Sequence, residues 1–352
     1  MHQESPQVLD IPPLAARWQG LLKENPKLRI RDAAESLAVS EMALVALDCG
    51  RNVTRLEADW GEFIKRLPDL GRVMVLTRND HAVHERKGVF GNIRVAGPMG
   101  LVLNTEIDLR IFLNRWTHGF AVTTDRGDHD LLSFQFFDAA GDAIHKVYLT
   151  DDSDIAAYNG LVSEFASPNQ SANVETKLIT EDTDFLPDAD VDVAGLRDGW
   201  RALQDVHDFM ALLRKFKVAR TQSLRLAGPE FCRRVSNASL WALLNDVAGR
   251  SFPIMVFVGN RGCIQIHSGP VTNIKRFDEW VNVLDPDFNL HLREDRIAET
   301  WVVQKPTVDG PVTSLELYDA AGDSIATLFS VRGEGNPENP DWRNMLAALS
   351  DA

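Results

Sequence analysis

The sequence predicts an α+β protein that consists of two similar units, each with helices followed by an antiparallel sheet. Three observations support this prediction. Segments of the first half recur in the second half at a constant spacing of 181 residues. Each half begins with helical patterns and continues with alternating apolar segments, which are typical of strands. Short turns join these strand segments, which favours antiparallel pairing and the α+β class.

The repeat is long and contains no gap. "RVMVLTRNDHAVHERKGVFGNI" (72–93) aligns with "PIMVFVGNRGCIQIHSGPVTNI" (253–274), and "LSFQFFDAAGDAI" (132–144) aligns with "TSLELYDAAGDSI" (313–325). The turn sequence Asp-Ala-Ala-Gly-Asp is identical in the second pair. A constant offset over about seventy residues indicates duplication of a domain-sized unit and not a short solenoid repeat.

The elements of the first unit follow in order from local patterns. "PKLRIRDAAESLAVSEMALVALD" (26–48) predicts two packed helices, with Ser40 as the N-cap of the second. The segments at 71–78, 82–98, 99–113 and 118–124 alternate or run apolar between Gly, Asn and Asp turns, which predicts strands. "LLSFQFFDAAGDAIHKVYL" (131–149) predicts a hairpin with a glycine-containing turn.

The boundary between the units is predicted from composition. The stretch "SPNQSANVETKLITEDTDFLPDADVD" (167–192) is polar, acidic and contains proline, as linkers often are. We therefore place the first unit at residues 1–170, a linker at 171–192 and the second unit at 193–352. A last helix is predicted around Trp342–Leu349.

Composition and charge exclude several classes of protein. The formal net charge is −14, and no basic block or nucleic-acid motif is present, so we expect no nucleic-acid partner. No apolar run reaches the ~18 residues of a membrane span, so we expect no membrane insertion. Three scattered cysteines and an N-terminal segment without signal-peptide features predict a cytoplasmic protein with reduced thiols.

A histidine interrupts an otherwise apolar helix face in "LRDGWRALQDVHDFMALLRK" (196–215). The pattern predicts one amphipathic helix from near residue 193, with flanking acids pointing away and an apolar stripe at Leu196, Trp200, Leu203, His207 and Met210. Such a histidine is commonly a core residue satisfied by one hydrogen bond. The alternative is an axial ligand for haem iron, which needs only one protein imidazole, whereas zinc needs three or four ligands.

The surrounding sequence favours the haem alternative through a resemblance. "LQDVHDFMALLRKFKVAR", "IMVFVGNRGCIQIHSGPV", "NVLDPDFNLHLR" and "AETWVVQKPT" are similar to the HemS/ChuS/PhuS family of bacterial cytoplasmic haem-utilisation proteins. The resemblance covers nearly the whole chain and includes the duplication. It implies two α+β units, each with a large antiparallel sheet, a haem b cleft between them, and His207 as the proximal iron ligand.

The resemblance also implies a distal side to the haem site. Arg110 in "NTEIDLRIF" would lie over the haem, where it could act in catalysis, and Phe112 would lie beside it. The alternative is a strand-edge arginine paired with Asp108 or Glu106. The position 181 residues later is His291, so the two units are expected to share a fold but not a site.

Three cations and one aromatic residue complete the expected site. In the family, basic residues at the positions of Arg220, Lys305 and Arg332 hold the haem propionates, because charge-assisted hydrogen bonds suit carboxylates. The alternative is that each is an isolated, solvated surface cation. Phe257 would pack on the porphyrin, or would be an ordinary core residue of its strand.

Two roles in haem uptake and iron acquisition follow from the resemblance. The protein would carry haem to a partner, such as a haem oxygenase or a component of the uptake transporter, or would degrade haem with electrons from an external reductant. The sequence leaves this choice open. Two other hypotheses are a duplicated binding or regulatory scaffold without haem, and a binder of another planar anion.

Overall fold

The computed structural model of the chain describes residues 13–180, 184–332 and 337–352. Within these residues the helices are α1 Leu14–Glu24, α2 Ile30–Leu37, α3 Glu41–Ala46, α4 Trp60–Arg66, α5 Ile155–Phe165, α6 Val193–Arg201, α7 Phe209–Phe216, α8 Arg220–Ala227, α9 Ser239–Gly249 and α10 Pro340–Ala347. None of these helices has the length and apolar character needed to cross a membrane.

Eighteen strands are present in the same residues. In the first half they are β1 Val53–Leu56, β2 Gly71–Arg78, β3 Ala82–Val89, β4 Ile93–Ala96, β5 Met99–Leu103, β6 Asp108–Phe112, β7 His118–Asp125, β8 Asp130–Phe137 and β9 Ala143–Ser153. In the second half they are β10 Cys232–Val235, β11 Ile254–Gly259, β12 Cys263–Gly269, β13 Ile274–Phe277, β14 Trp280–Leu284, β15 Phe288–Arg293, β16 Glu299–Lys305, β17 Val312–Tyr318 and β18 Ser324–Ser330.

The strands form two nine-stranded sheets, and each sheet combines strands from both halves of the chain. The order is β1-β7-β8-β9-β2-β3-β15-β14-β13 in the first sheet and β10-β16-β17-β18-β11-β12-β6-β5-β4 in the second. Strands β4–β6 therefore extend the sheet of the second half, and β13–β15 extend the sheet of the first half. The predicted α+β class with duplicated antiparallel sheets is confirmed, but this exchange of three strands was not predicted.

Shared hydrophobic clusters join the two sheets. One cluster includes Val256 of β11 in the second sheet and Leu290 of β15 in the first sheet. Another includes Val75 of β2 and Leu109 of β6, which again belong to different sheets. All four residues are at most 1% exposed. The strand exchange thus buries apolar surface from both halves in common cores, so the halves support each other.

The repeated turns have the same geometry in both halves. The first aspartate of each Asp-Ala-Ala-Gly-Asp turn, Asp138 or Asp319, accepts hydrogen bonds from the backbone N–H groups two and four residues later. Gly141 and Gly322 have φ values of 88° and 86°, which a side chain would strain. The two turns thus have the same sequence because they have the same hydrogen bonds and the same positive φ at glycine. The predicted hairpin at 131–149 is confirmed.

Local helix signals in both halves are also confirmed. Ser40 caps α3, and its hydroxyl accepts a hydrogen bond from the backbone N–H of Ala43 at 3.2 Å. Helix α10 covers residues 340–347, close to the helix predicted near the end of the chain. The region predicted as a linker has no α-helix or strand in its described residues from 171 to 180 and from 184 to 192.

His145 is fully enclosed in the core of the first half. Its Nδ1 lies 2.8 Å from the hydroxyl of Thr77. Burial lowers the pKa of this imidazole to about 3, because the charged ring would lose its hydration. The unfolded chain binds the proton near pH 6.5. Stability that is present above that pH is therefore lost as the pH falls toward the folded-state value.

We expect this histidine to reduce the free energy of unfolding by about 2 kcal/mol between pH 7 and pH 5. In His145→Gln the contribution is absent, so the free energy depends less on pH, although the variant is less stable at neutral pH. Urea unfolding at both pH values measures the difference. His129→Gln, which changes an exposed histidine, should retain the wild-type dependence. An unchanged dependence in His145→Gln would contradict the prediction.

Candidate functional site

A cleft lies against the open face of the second sheet. It has a volume of about 740 Å³, within the usual range of ligand pockets. Its walls include the sheet residues Phe257, Ile264, Thr327 and Phe329 and the helix residue Arg220. Phe257 and Phe329 pack edge to face, with ring centroids 5.1 Å apart. The sheet side of the cleft is therefore partly aromatic and apolar, whereas polar and charged residues such as Arg31, His81 and Asp142 line its other walls.

Strand pairing places Arg110 and Phe112 on this same face. Arg110 lies opposite Ile264 across the β6–β12 pair, and directly opposed residues point to the same side of a sheet. Phe112 follows two residues later and shares that side. Both are half-buried. The distal residues implied by the family resemblance therefore continue the floor of the cleft, and they reach it through the strand exchange.

Arg110 is held by a carboxylate in this structure. Its Nη1 donates a hydrogen bond to Asp108, two residues earlier on the same strand. Burial raises the pKa of the Asp108 carboxyl, although Arg110 opposes this effect. The pairing with Asp108 that we considered as an alternative is present. Contact between Arg110 and a ligand in the cleft would require its side chain to leave or share Asp108.

The chain does not form the single helix that was predicted over residues 193–215. Helix α6 ends at Arg201, residues 206–208 form a 3-10 turn, and α7 begins at Phe209. Asp205 is extended, and its carboxylate accepts a hydrogen bond from the backbone N–H of His207 at 2.8 Å. This local bond competes with helix formation. The prediction was wrong because two short helices share a similar apolar spacing.

His207 is therefore exposed and does not belong to an apolar helix face. Its side chain is 87% exposed, and Met210 of the predicted stripe is 49% exposed. The residues that α7 buries are instead Phe209, Leu212 and Leu213. The predicted environment of this histidine is wrong, because the break changes the helical register after residue 203. The imidazole is nevertheless accessible to a ligand.

The ring of His207 forms a hydrogen bond with Asp205, which was predicted to point away from it. The distance from Nδ1 to Oδ1 of Asp205 is 2.5 Å. The hydrogen bond from the His207 backbone, then that from the ring, lowers the pKa of this carboxyl, and Arg332 adds a smaller effect. Because a carboxylate only accepts hydrogen bonds, Nδ1 carries a proton, and in the neutral imidazole Nε2 then keeps its lone pair.

Arg220 and Lys305 converge on Glu316, a fully buried carboxylate of β17. Nη2 of Arg220 and Nζ of Lys305 each lie 2.8 Å from its oxygens. The hydroxyl of Tyr318 donates to the same carboxylate and accepts a hydrogen bond from Nε of Arg220 at 2.6 Å. Two cations thus share one buried anion, and we call these four residues the Glu316 cluster.

The charges of this cluster are strongly coupled. Burial raises the pKa of Glu316, but Arg220 and Lys305 outweigh burial and lower it well below its usual range. The ring of Phe209 lies 5.4 Å from the guanidinium carbon of Arg220 and 4.7 Å from Nζ of Lys305. The carboxylate and the aromatic ring therefore compensate for the burial of both cations.

The two cations differ in their access to the cleft. Lys305 is 4% exposed, so its interpretation as a solvated surface cation is wrong. Contact between Lys305 and a propionate would require its pair with Glu316 to open. Arg220 is half-buried and lines the cleft, and its Nη1 lies 3.9 Å from the sulfur of Met210. Arg220 therefore links the cleft floor to the helix that follows His207.

Arg332 lies just beyond β18, two residues after the end of the strand. It is half-buried, and it is close enough to Asp205 to influence that carboxyl. Residues 333–336, which follow it, lie outside the described part of the chain. Of the three cations predicted from the sequence, Arg220 therefore lines the cleft and Arg332 lies near the His207 turn.

A second cleft adjoins the first, shares Arg31, His81 and Asp142 with it, and extends along the first sheet. It is larger, at about 1090 Å³, and its walls include His291 and several charged residues. The positions 181 residues before His207, Arg220 and Glu316 hold Pro26, Val39 and Gln135. The second cleft therefore lacks the equivalents of the exposed imidazole and the Glu316 cluster. The first cleft is smaller, but the exposed imidazole and the Glu316 cluster make it the better candidate for a ligand site.

Sequence reasoning missed Glu316, Tyr318 and the role of Asp205. The repeat contained a usable signal for the first two, because "LSFQFFD" in the first half corresponds to "TSLELYD" in the second. Gln135 and Phe137 are thus replaced by an acid and a phenol on a strand that is buried throughout. An acid on such a strand indicates a buried cation partner. Asp205 gave a weaker signal, since aspartate favours caps as well as turns.

Comparison with protein families gives a match over both halves of the chain. A family model described as the haemin-degrading HemS.ChuX domain matches residues 38–165 and again residues 217–349. Among curated proteins, the hemin transport protein HmuS of Yersinia pestis is 40% identical over 327 residues, which cover 93% of this chain and 94% of that protein.

Solved structures show the same architecture. Holo-PhuS, a heme-binding protein from Pseudomonas aeruginosa, superposes with a TM-score of 0.93 and 46% identity, and the match covers 95% of this chain and 97% of that one. The heme-degrading enzyme ChuS of Escherichia coli O157:H7 superposes with a TM-score of 0.89 and 37% identity, covering 95% and 98% of the two chains.

Proposed function

The chain belongs to the HemS family of haemin-degrading HemS.ChuX domains, and from this premise we propose that it binds haem in bacterial haem uptake and iron acquisition. The ligand proposed is haem b, held without a covalent bond to the protein. The three cysteines are free, and none is part of the C-x-x-C-H sequence that attaches haem covalently. The proposed location is the cytoplasm.

The observation that carries this proposal is the accessible imidazole of His207, which precedes a helix that contacts the cleft residue Arg220. Haem needs one axial nitrogen from the protein, a flat apolar surface for the ring, and cations for two propionates. Nε2 of His207 is the free nitrogen, because Nδ1 donates to Asp205. Bound haem would supply an iron with a further coordination position for a small ligand.

The remaining residues have distinct proposed roles. Phe257, with Phe329 beside it, would pack against the porphyrin. Arg220 and Arg332 would bind the propionates, and Lys305 would hold Arg220 in place through Glu316. Arg110, with Phe112 beside it, would donate a hydrogen bond to a small molecule on the opposite side from His207, where it could assist degradation. These roles follow from the family resemblance and from the positions of the side chains around the cleft.

The proposed site serves either delivery or degradation of haem. Delivery would require a protein partner, such as a haem oxygenase or a component of the uptake transporter. Degradation would require an external electron donor. The relative ChuS is described as a heme-degrading enzyme and HmuS as a hemin transport protein. Both roles use the same first step, which is binding of haem by His207.

An absorbance titration with haem tests the proposed function. We expect a Soret band that saturates at one haem per chain. Addition of an external reductant in air, with catalase present, then separates the roles. Loss of the Soret band with a bilin-like product indicates degradation, and a persistent ferrous or oxygenated complex indicates delivery. A titration without any haem-dependent spectrum would contradict haem binding and favour a scaffold without haem.

Arg332→Gln tests the proposed contact with a propionate. We expect at least about tenfold weaker haem binding, because a charge-assisted hydrogen bond contributes about 1.5–3 kcal/mol and 1.4 kcal/mol corresponds to tenfold. The variant and the wild type should bind haem dimethyl ester equally well, since that ligand has no propionate charges. Arg250→Gln, which changes an exposed arginine paired with Asp246, is the control. An equal loss of affinity for haem and its diester would contradict a propionate contact.

A further inference from the structure

Asp205 makes two hydrogen bonds to the same residue through one oxygen atom. Oδ1 accepts the backbone N–H of His207 at 2.8 Å and the ring Nδ1–H at 2.5 Å. The backbone bond caps the 3-10 turn, which is an ordinary structural role. The ring bond is not needed for the cap. It fixes the orientation and the tautomer of the imidazole.

The turn that presents both side chains is anchored on either side. Leu203 and Phe209 are 6% and 1% exposed and fix the two ends of the turn in the core. The carbonyl of Gln204 accepts a hydrogen bond from the backbone N–H of Val308 at 3.0 Å. The backbone around Asp205 and His207 is therefore held in place, and only the ring of His207 requires a further restraint.

We infer that Asp205 is a positioning residue for the iron-binding imidazole of His207, which it holds with Nε2 free and makes a stronger electron donor. This inference rests on the proposed function. Metal-binding histidines commonly donate their second ring N–H to a carboxylate or carbonyl, which sets the ring orientation and raises its basicity. Here the carboxylate is only two residues from the ligand, so the same short turn supplies both groups.

The hydrogen bond between the His207 ring and Asp205 contributes little to the stability of the fold by itself. The side chains of His207 and Asp205 are 87% and 59% exposed, and exposed pairs of this kind contribute little to stability. A bound porphyrin would cover the imidazole and exclude water from the bond, which would then act in a lower dielectric and become stronger. Added electron density on the imidazole stabilises ferric iron relative to ferrous iron.

Asp205→Asn separates this role from the structural cap. Asparagine also caps turns through its side-chain oxygen, so the backbone bond can be kept while the negative charge is lost. Asp208→Asn is the matched control, because it removes the same charge from an exposed residue one position after His207. Thermal unfolding of both variants without haem verifies that the turn remains folded.

Three measurements on the haem complexes test the inference. For Asp205→Asn we expect a lower iron–histidine stretching frequency in resonance Raman spectra, a more positive midpoint potential and about tenfold weaker ferric haem binding. Asp208→Asn should match the wild type in all three. A stretching frequency and potential unchanged by Asp205→Asn would overturn the inference and leave the proposed function intact. A wild-type complex without an iron–histidine band would overturn both.

Discussion

The His207→Ala variant is expected to bind haem at least tenfold more weakly than the wild type and to lose the spectrum of imidazole-ligated iron. Tenfold corresponds to about 1.4 kcal/mol, a lower bound for the loss of a coordination bond. The side chain is exposed, so its removal leaves no cavity in the core. The free energy of unfolding without haem should therefore stay within about 0.5 kcal/mol of the wild-type value.

His129→Ala is a matched control for this prediction. His129 is also exposed and is also bonded through Nδ1 to a nearby aspartate, Asp128, at 2.8 Å. It lies in the turn between β7 and β8, and we expect wild-type affinity and spectrum. Free imidazole added to His207→Ala should restore part of the ligated spectrum. Equal haem affinity and identical spectra for wild type and His207→Ala would contradict iron binding by this residue.

Glu316→Gln is expected to reduce the free energy of unfolding by about 3–5 kcal/mol, because it leaves the buried Lys305 and the half-buried Arg220 without an anion. The carboxylate is completely buried and serves both Arg220 and Lys305. Glutamine keeps the shape and one acceptor oxygen, so the expected effect arises from charge and not from a cavity. Urea unfolding of the variant and the wild type measures the difference.

Two further variants make this prediction specific to the Glu316 cluster. Glu62→Gln breaks an exposed ion pair with Lys65 and should cost less than about 1 kcal/mol. Lys305→Met removes one of two cations and leaves the pair of Glu316 with Arg220, so its cost should be smaller than that of Glu316→Gln. Equal effects of Glu316→Gln and Glu62→Gln, or a larger effect of Lys305→Met, would contradict the account.

The fold class followed from the sequence because the duplication repeats both apolar pattern and turn chemistry. The paired Asp-Ala-Ala-Gly-Asp turns and the Ser40 cap are local signals, because their hydrogen bonds join residues only three or four positions apart. The exchange of β4–β6 and β13–β15 could not be predicted in this way. Alternating strands specify which face is buried, but they do not specify which of two similar sheets a strand joins.

The site was predicted less completely than the fold. The spacing of apolar residues around His207 fits one long helix, and a single cap at Asp205 is enough to divide it. Lys305 could not be recognised as buried from its own segment, because its partner Glu316 lies on the next strand. A local cap therefore decided the position of His207 and a contact between strands decided that of Lys305, whereas only the family resemblance indicated His207 as the proposed iron ligand.

A crystal structure of the protein with haem is the most direct test of iron binding by His207. We expect one haem per chain in the cleft of the second sheet, with its iron bonded to Nε2 of His207 and its ring packed against Phe257. Haem bound instead in the cleft of the first sheet beside His291, or bound while the ring of His207 remains free in solvent, would contradict it.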